Sequence, residues 1–164
     1  MCSSYCSVRK KRFLRQNPSN PADYQVLADD PNKKIAYINL YGMGPCGPEG
    51  SLLDGNPIRK LAIATEMLGF DANLAFMLKA KGDSMLPKIK EGDLVIAKKS
   101  KDPLQGDIIV CVYRGKVLIK KFVKISGDII LESLNRDKFD PIVVDKHELQ
   151  IEDVVKAVYA YASA

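Results

Sequence analysis

Two short stretches carry side chains able to do chemistry. In Lys79-Ala80-Lys81-Gly82-Asp83-Ser84-Met85-Leu86-Pro87, a serine follows a glycine at the end of an apolar run. A sharp bend there would present Ser84 as a nucleophile, with neighbouring main-chain N–H groups free to hold an oxyanion. Small residues in turns are common, so this feature alone is weak. In Val117-Leu118-Ile119-Lys120-Lys121-Phe122-Val123, two lysines interrupt a strand that is otherwise apolar on both faces. Strand alternation puts Lys120 with Leu118 and Phe122, and Lys121 with Ile119 and Val123, so either lysine can be the buried one. A buried lysine loses hydration and its pKa falls. Half-neutrality near pH 7 requires a shift of about 3 units, roughly 4–5 kcal/mol, which buried lysines reach. The ordinary alternative is a pair of lysines snorkelling from an edge strand.

The single histidine makes the combination informative. His147 lies in the polar run Asp145-Lys146-His147-Glu148 and no second imidazole exists for a triad or a metal site. A serine nucleophile in this chain needs another base, and a neutral lysine is the available one. The four cysteines, Cys2, Cys6, Cys46 and Cys111, lack the close double pairing of a zinc site and are too few for a disulfide scaffold; they read as reduced thiols. The sequence therefore implies no metal and no cofactor.

These residues must be positioned by a fold, and 164 residues suffice for one domain plus an arm. The composition, 46% hydrophobic and 27% charged, is that of a globular protein. No apolar run approaches the roughly 20 residues that span a bilayer, and the N-terminus is basic rather than signal-like, which points to the cytoplasm and away from the membrane. The net charge of +5 is uneven: residues 1–34 hold 7 of the 25 basic and 3 of the 20 acidic side chains. With Asn-Pro and Asp-Pro punctuation, residues 1–34 read as a flexible basic arm in which Arg9-Lys10-Lys11-Arg12 offers only non-selective attraction for phosphate.

From Ile35 the pattern becomes strand after strand: 35–41, 74–79, 94–97, 108–113, 116–125, 129–133, 142–144 and 154–161, with Gly-containing turns between them. Arg114-Gly115 in particular reads as a hairpin turn. One helix is expected over Arg59–Leu68, with Leu61, Ile63, Ala64, Met67 and Leu68 apolar and Gly69 closing it. Residues 42–50 are rich in Gly and Pro and read as an exposed loop.

Five blocks in order, Gly82-Asp83-Ser84-Met85 with Pro87, Gly92-Asp93-Leu94-Val95, Gly106-Asp107-Ile108-Ile109, Val117 to Phe122, and Phe139 to Val144, resemble the peptidase domain shared by LexA, UmuD and self-cleaving phage repressors. The resemblance covers about Ile35 to the C-terminus. It implies a mostly β, LexA-like peptidase fold of twisted antiparallel sheets with a short helix, preceded by the arm: residues 1–34, then a domain over 35–164 with a cleavage loop at 42–50. It assigns the nucleophile to Ser84 and the base to Lys120, with the N–H groups of Asp83 and Ser84 as oxyanion donors. It also implies self-cleavage at Cys46-Gly47, a pair similar to the Cys-Gly of UmuD. Pro48 holds Gly47 to extended conformations.

The resemblance further implies a homodimer, stimulation by a RecA–single-stranded DNA filament, and an SOS or mutagenesis role with a translesion polymerase as a further partner. With 46 residues before Gly47 and no helix-turn-helix pattern among them, the chain is closer to UmuD, and no sequence-specific DNA binding is expected of it. The Ser-Met-Leu-Pro-Lys-Ile-Lys-Glu-Gly-Asp spacing, one residue shorter than in LexA or UmuD, occurs in phage-type relatives and keeps a truncated repressor open. The remaining rivals are a signal-peptidase-like protease and a non-catalytic regulator.

Overall fold

The computed structural model describes residues 34–43 and 55–160. Nine strands run through them: β1 Ile35–Gly42, β2 Arg59–Ala64, β3 Ala75–Lys79, β4 Leu94–Lys99, β5 Ile108–Tyr113, β6 Lys116–Ile125, β7 Asp128–Glu132, β8 Ile142–Val144 and β9 Leu149–Tyr159. They join in the order β2-β1-β3-β4-β9-β5-β6-β7-β8, so the strand formed last in sequence runs through the middle of the sheet.

The ladders from β3 to β8 are antiparallel, but β1 runs parallel to β3, with Leu40 opposite Met77 and Gly42 opposite Lys79. The sheet is thus mixed rather than purely antiparallel. The stretch between β1 and β3 is long enough for the crossover that a parallel pair requires.

The helix expected over Arg59–Leu68 is absent. Its first part is β2, and Thr65–Met67 forms one 3-10 turn. Leu61 and Ile63, two residues apart, pack on the cluster of Ile38, Leu40, Leu68, Met77 and Ile96. Met67, needed to complete a helical stripe, is 58% exposed. Two apolar positions at period two, beside an available partner strand, outweigh a weak helical pattern. Among the described residues helical structure is confined to this turn and to Ala72–Leu74, which Asp71 caps by accepting the Asn73 N–H at 2.9 Å.

β5 is buried at every position, as its unbroken apolar run suggests. Ile108, Val110 and Val112 join a cluster with Phe76, Leu78, Val95, Met85 and Ile89, while Ile109, Cys111 and Tyr113 join Phe122, Leu131 and Val144. Each large side chain so withdrawn from water contributes about 1.5–3 kcal/mol before entropy is counted. The β5–β6 turn has Arg114 and Gly115 both at positive φ, 51° and 73°, the form that matches the twist of a two-residue hairpin. Ser126 and Gly127 repeat it between β6 and β7. β9 begins at Leu149, earlier than its apolar residues indicate, because Gln150 and Glu152 face outward and pair with each other at 2.7 Å.

Candidate functional site

The turn carrying Ser84 starts where β3 ends. Ala80 and the segment entering β4 exchange main-chain bonds, Ala80 N–H to Asp93 O at 2.8 Å and Gly92 N–H to Ala80 O at 2.9 Å. The chain then reverses at Gly82, whose φ of +82° few other residues would adopt. Met85 and Ile89, 4% and 2% exposed, plug the following turn into the core, and the Ile89 N–H closes it on Met85 O at 3.0 Å. Ser84, just before Met85, stays half-buried.

A second segment grips this turn. Asn135 donates its main-chain N–H to Ser84 O at 3.0 Å and its side-chain Nδ2 to Asp83 O at 3.1 Å. Lys138 pairs with the Asp83 carboxylate. The hydrogen bond and charge of Lys138 hold that carboxyl below its usual range, assisted by the residue's own main-chain N–H and opposed by partial desolvation.

Lys120 lies in mid-β6 opposite Ile109 and is only 6% exposed. Its Nζ donates to Ser133 Oγ at 2.7 Å and stands 5.4 Å from the centre of the Phe139 ring. Burial pushes the lysine pKa down, and the Cys111 sulfur nearby works weakly the other way. The Cys111 thiol, itself buried, is pushed up to about 12 and stays protonated. Lys121 points to the opposite environment, 3.9 Å from Glu132 at the surface.

Ser84 and Lys120 line one cavity of about 160 Å³, whose apolar walls include Ala80, Met85, Ile89, Val117 and Ile119. Met43, just past the end of β1, forms part of the same wall. Two of the sequence-predicted site residues are therefore brought together, and Asp83 sits beside the serine. Cys46 and Gly47 lie outside the described residues. His147 is in an exposed turn, its main-chain N–H on Asp145 Oδ1 at 3.0 Å.

Sequence reasoning missed Ser133, Asn135 and Lys138, and gave Phe139 no role beyond opening the last block of the resemblance. For Ser133 a signal was present. The two-residue turn Ser126-Gly127 pairs Ile125 with Asp128 and Lys121 with Glu132, so the next position along is Ser133 opposite Lys120.

Comparison with known proteins bears on this geometry. The profile of the Peptidase S24-like family matches residues 39–156, most of the chain and all of the sheet except the start of β1 and the end of β9. The chain belongs to that family. Peptidase S24 proteins are self-cleaving serine peptidases, so the family carries the chemistry that a serine and a lysine on one cavity suggest. Among similar proteins, the LexA repressor of a Geobacter species is 35% identical over 156 residues, 94% of this chain and 74% of its own length. That of Carboxydothermus hydrogenoformans is 28% identical over 158 residues, 94% of this chain and 76% of its own. That of Caldicellulosiruptor saccharolyticus is 29% identical over 140 residues, covering 84% and 67%. No helix among the described residues is long and apolar enough to cross a membrane.

Proposed function

We propose that this S24 peptidase cuts its own chain between Cys46 and Gly47, with residues 35–164 as the peptidase domain. Ser84 Oγ attacks the Cys46 carbonyl while neutral Lys120 accepts the hydroxyl proton. The C–N bond then breaks, Lys120 returns the proton to the Gly47 amine, and water later hydrolyses the acyl-serine. The oxyanion is held by the main-chain N–H groups of Asp83 and Ser84.

The observation carrying this reading is that a half-buried serine and a buried lysine of lowered pKa share one cavity. Met43 on its wall supports the choice of bond. Three residues of extended chain reach about 10 Å, so a loop leaving β1 at Met43 has Cys46 within range of Ser84. Replacing Ser84 or Lys120 by Ala tests the assignment: each is expected to abolish self-cleavage of a folded protein.

The relatives favour a LexA-type biological setting: a cytoplasmic homodimer whose cleavage a RecA–single-stranded DNA filament accelerates by favouring the docked loop over the free one. A second reading, a UmuD-type mutagenesis factor acting with a translesion polymerase, draws on the Cys46-Gly47 pair. Purified RecA filament tests the shared part. It should speed cleavage at neutral pH, and no effect would remove the SOS setting while leaving the peptidase.

A further inference from the structure

The proposed dyad uses Ser84 and Lys120, yet neither holds itself in place. One stretch of chain, from Ser133 at the end of β7 to Phe139, touches both. At one end Ser133 Oγ receives the Lys120 Nζ hydrogen at 2.7 Å, the two groups being 3% and 6% exposed. In the middle Asn135 bonds the carbonyls of both Asp83 and Ser84. At the other end the Phe139 ring lies against Lys120, and neighbouring Lys138 pairs with Asp83.

We propose that Ser133 and Asn135 are the positioning residues of this peptidase, Ser133 fixing the lysine nitrogen and Asn135 fixing the turn that presents the serine. This rests on the self-cleavage reading above. A neutral amine has two N–H donors and one lone pair on a freely rotating group. Occupying one N–H with Ser133 Oγ restricts that rotation and allows the lone pair to be aimed at the hydroxyl it must deprotonate. Ser133 accepts a hydrogen from Nζ whether the lysine is charged or neutral, and more strongly from the ammonium. Its removal therefore cannot raise the lysine pKa; it only loosens the base. Cys111 of β5 is the other titratable group acting on Lys120, and its protonated thiol is unaffected by the change.

The test is the pH profile of self-cleavage of the full chain, read by electrophoresis, with melting followed in parallel. Ser133→Ala should lower the plateau rate about 10- to 100-fold, the scale on which small misplacement of a reacting group acts. Its midpoint should stay or move down. Ser133→Thr, which restores a hydroxyl, should recover most of the rate. Asn135→Ala should lower the plateau with the midpoint unchanged, since it touches only the serine side. A Ser133→Ala plateau equal to wild type, or a Thr variant as slow as the Ala variant, would overturn the role of Ser133. A midpoint shift of a whole unit in Asn135→Ala would overturn the division between the two residues. A wild-type chain inert at every pH would sink the peptidase reading itself, which sets that failure apart from these.

Discussion

Lys120 and Lys121 are consecutive in β6 and live in opposite environments: Lys120 Nζ is buried against Ser133 Oγ at 2.7 Å, whereas Lys121 faces Glu132 at the surface, 3.9 Å away. Burial disfavours the charged form of Lys120. Lys121→Ala should keep at least half of the self-cleavage rate and cost less than about 1 kcal/mol of stability, as for other partly exposed ion pairs. Lys120→Ala should be inactive. Electrophoresis of the two variants side by side checks this, and an inactive Lys121→Ala with an active Lys120→Ala would reverse the assignment.

The pH dependence follows from the same burial. The base must be unprotonated, and the neutral fraction of Lys120 grows as pH rises, so the rate should climb about tenfold per unit and then level off. Burial places the midpoint below the ordinary lysine value of 10.5. Rates falling with pH, or still rising beyond 10.5, would mean that Lys120 is not the titrating group.

Asp153 yields a prediction about stability rather than catalysis. It sits in β9 opposite Lys99 and Val110, fully buried, with both carboxyl oxygens lacking a hydrogen-bond partner. Burial raises its pKa to about 8, with Glu152 adding to the rise and Lys99 opposing it. The folded state therefore retains a proton that the unfolded chain gives up above pH 4. The contribution of Asp153 to stability is greatest below that pH and falls by about 1.4 kcal/mol per unit until Asp153 ionises near pH 8, on the order of 5 kcal/mol in all. Chemical denaturation across this range should show the decline, and Asp153→Asn should flatten most of it. An equal slope in the variant would place the proton elsewhere.

Much of this fold is legible in the sequence where an apolar run is bounded by a turn with positive-φ residues, as β5 and β6 are around Arg114-Gly115. Legibility fails where partner strands decide. Arg59–Leu68 has a tolerable helical stripe, and only the presence of β1 beside it makes Leu61 and Ile63 the faces that count. The start of β9 is hidden because a buried Asp153 and outward Gln150 and Glu152 break the apolar pattern. Alternation left Lys120 and Lys121 equivalent; the environment that separates them comes from β5, β7 and Phe139, distant in sequence or beyond a turn. Asn135 gave no signal, because its contact with the Ser84 turn spans about fifty residues that no local pattern links.

Nucleic-acid binding by residues 1–34 is expected to be weak and unselective. The seven basic side chains of residues 1–34 can neutralise at most seven phosphates, so the slope of log affinity against log salt should not exceed about 6 in magnitude. An electrophoretic shift series on operator and random duplexes should show equal affinities that vanish near physiological salt. A shift specific to one operator that survives such salt would show base readout by this chain.

The most direct measurement of the central claim is the mass of what the purified protein becomes at alkaline pH without any filament. Self-cleavage by Ser84 and Lys120 at the expected bond gives two species, the first 46 residues ending at Cys46 and the remaining 118 of the 164 beginning at Gly47. Both should appear together in wild type and be absent from Ser84→Ala. An intact mass after long incubation of protein still folded at that pH, or a cut at any other bond, would contradict the account.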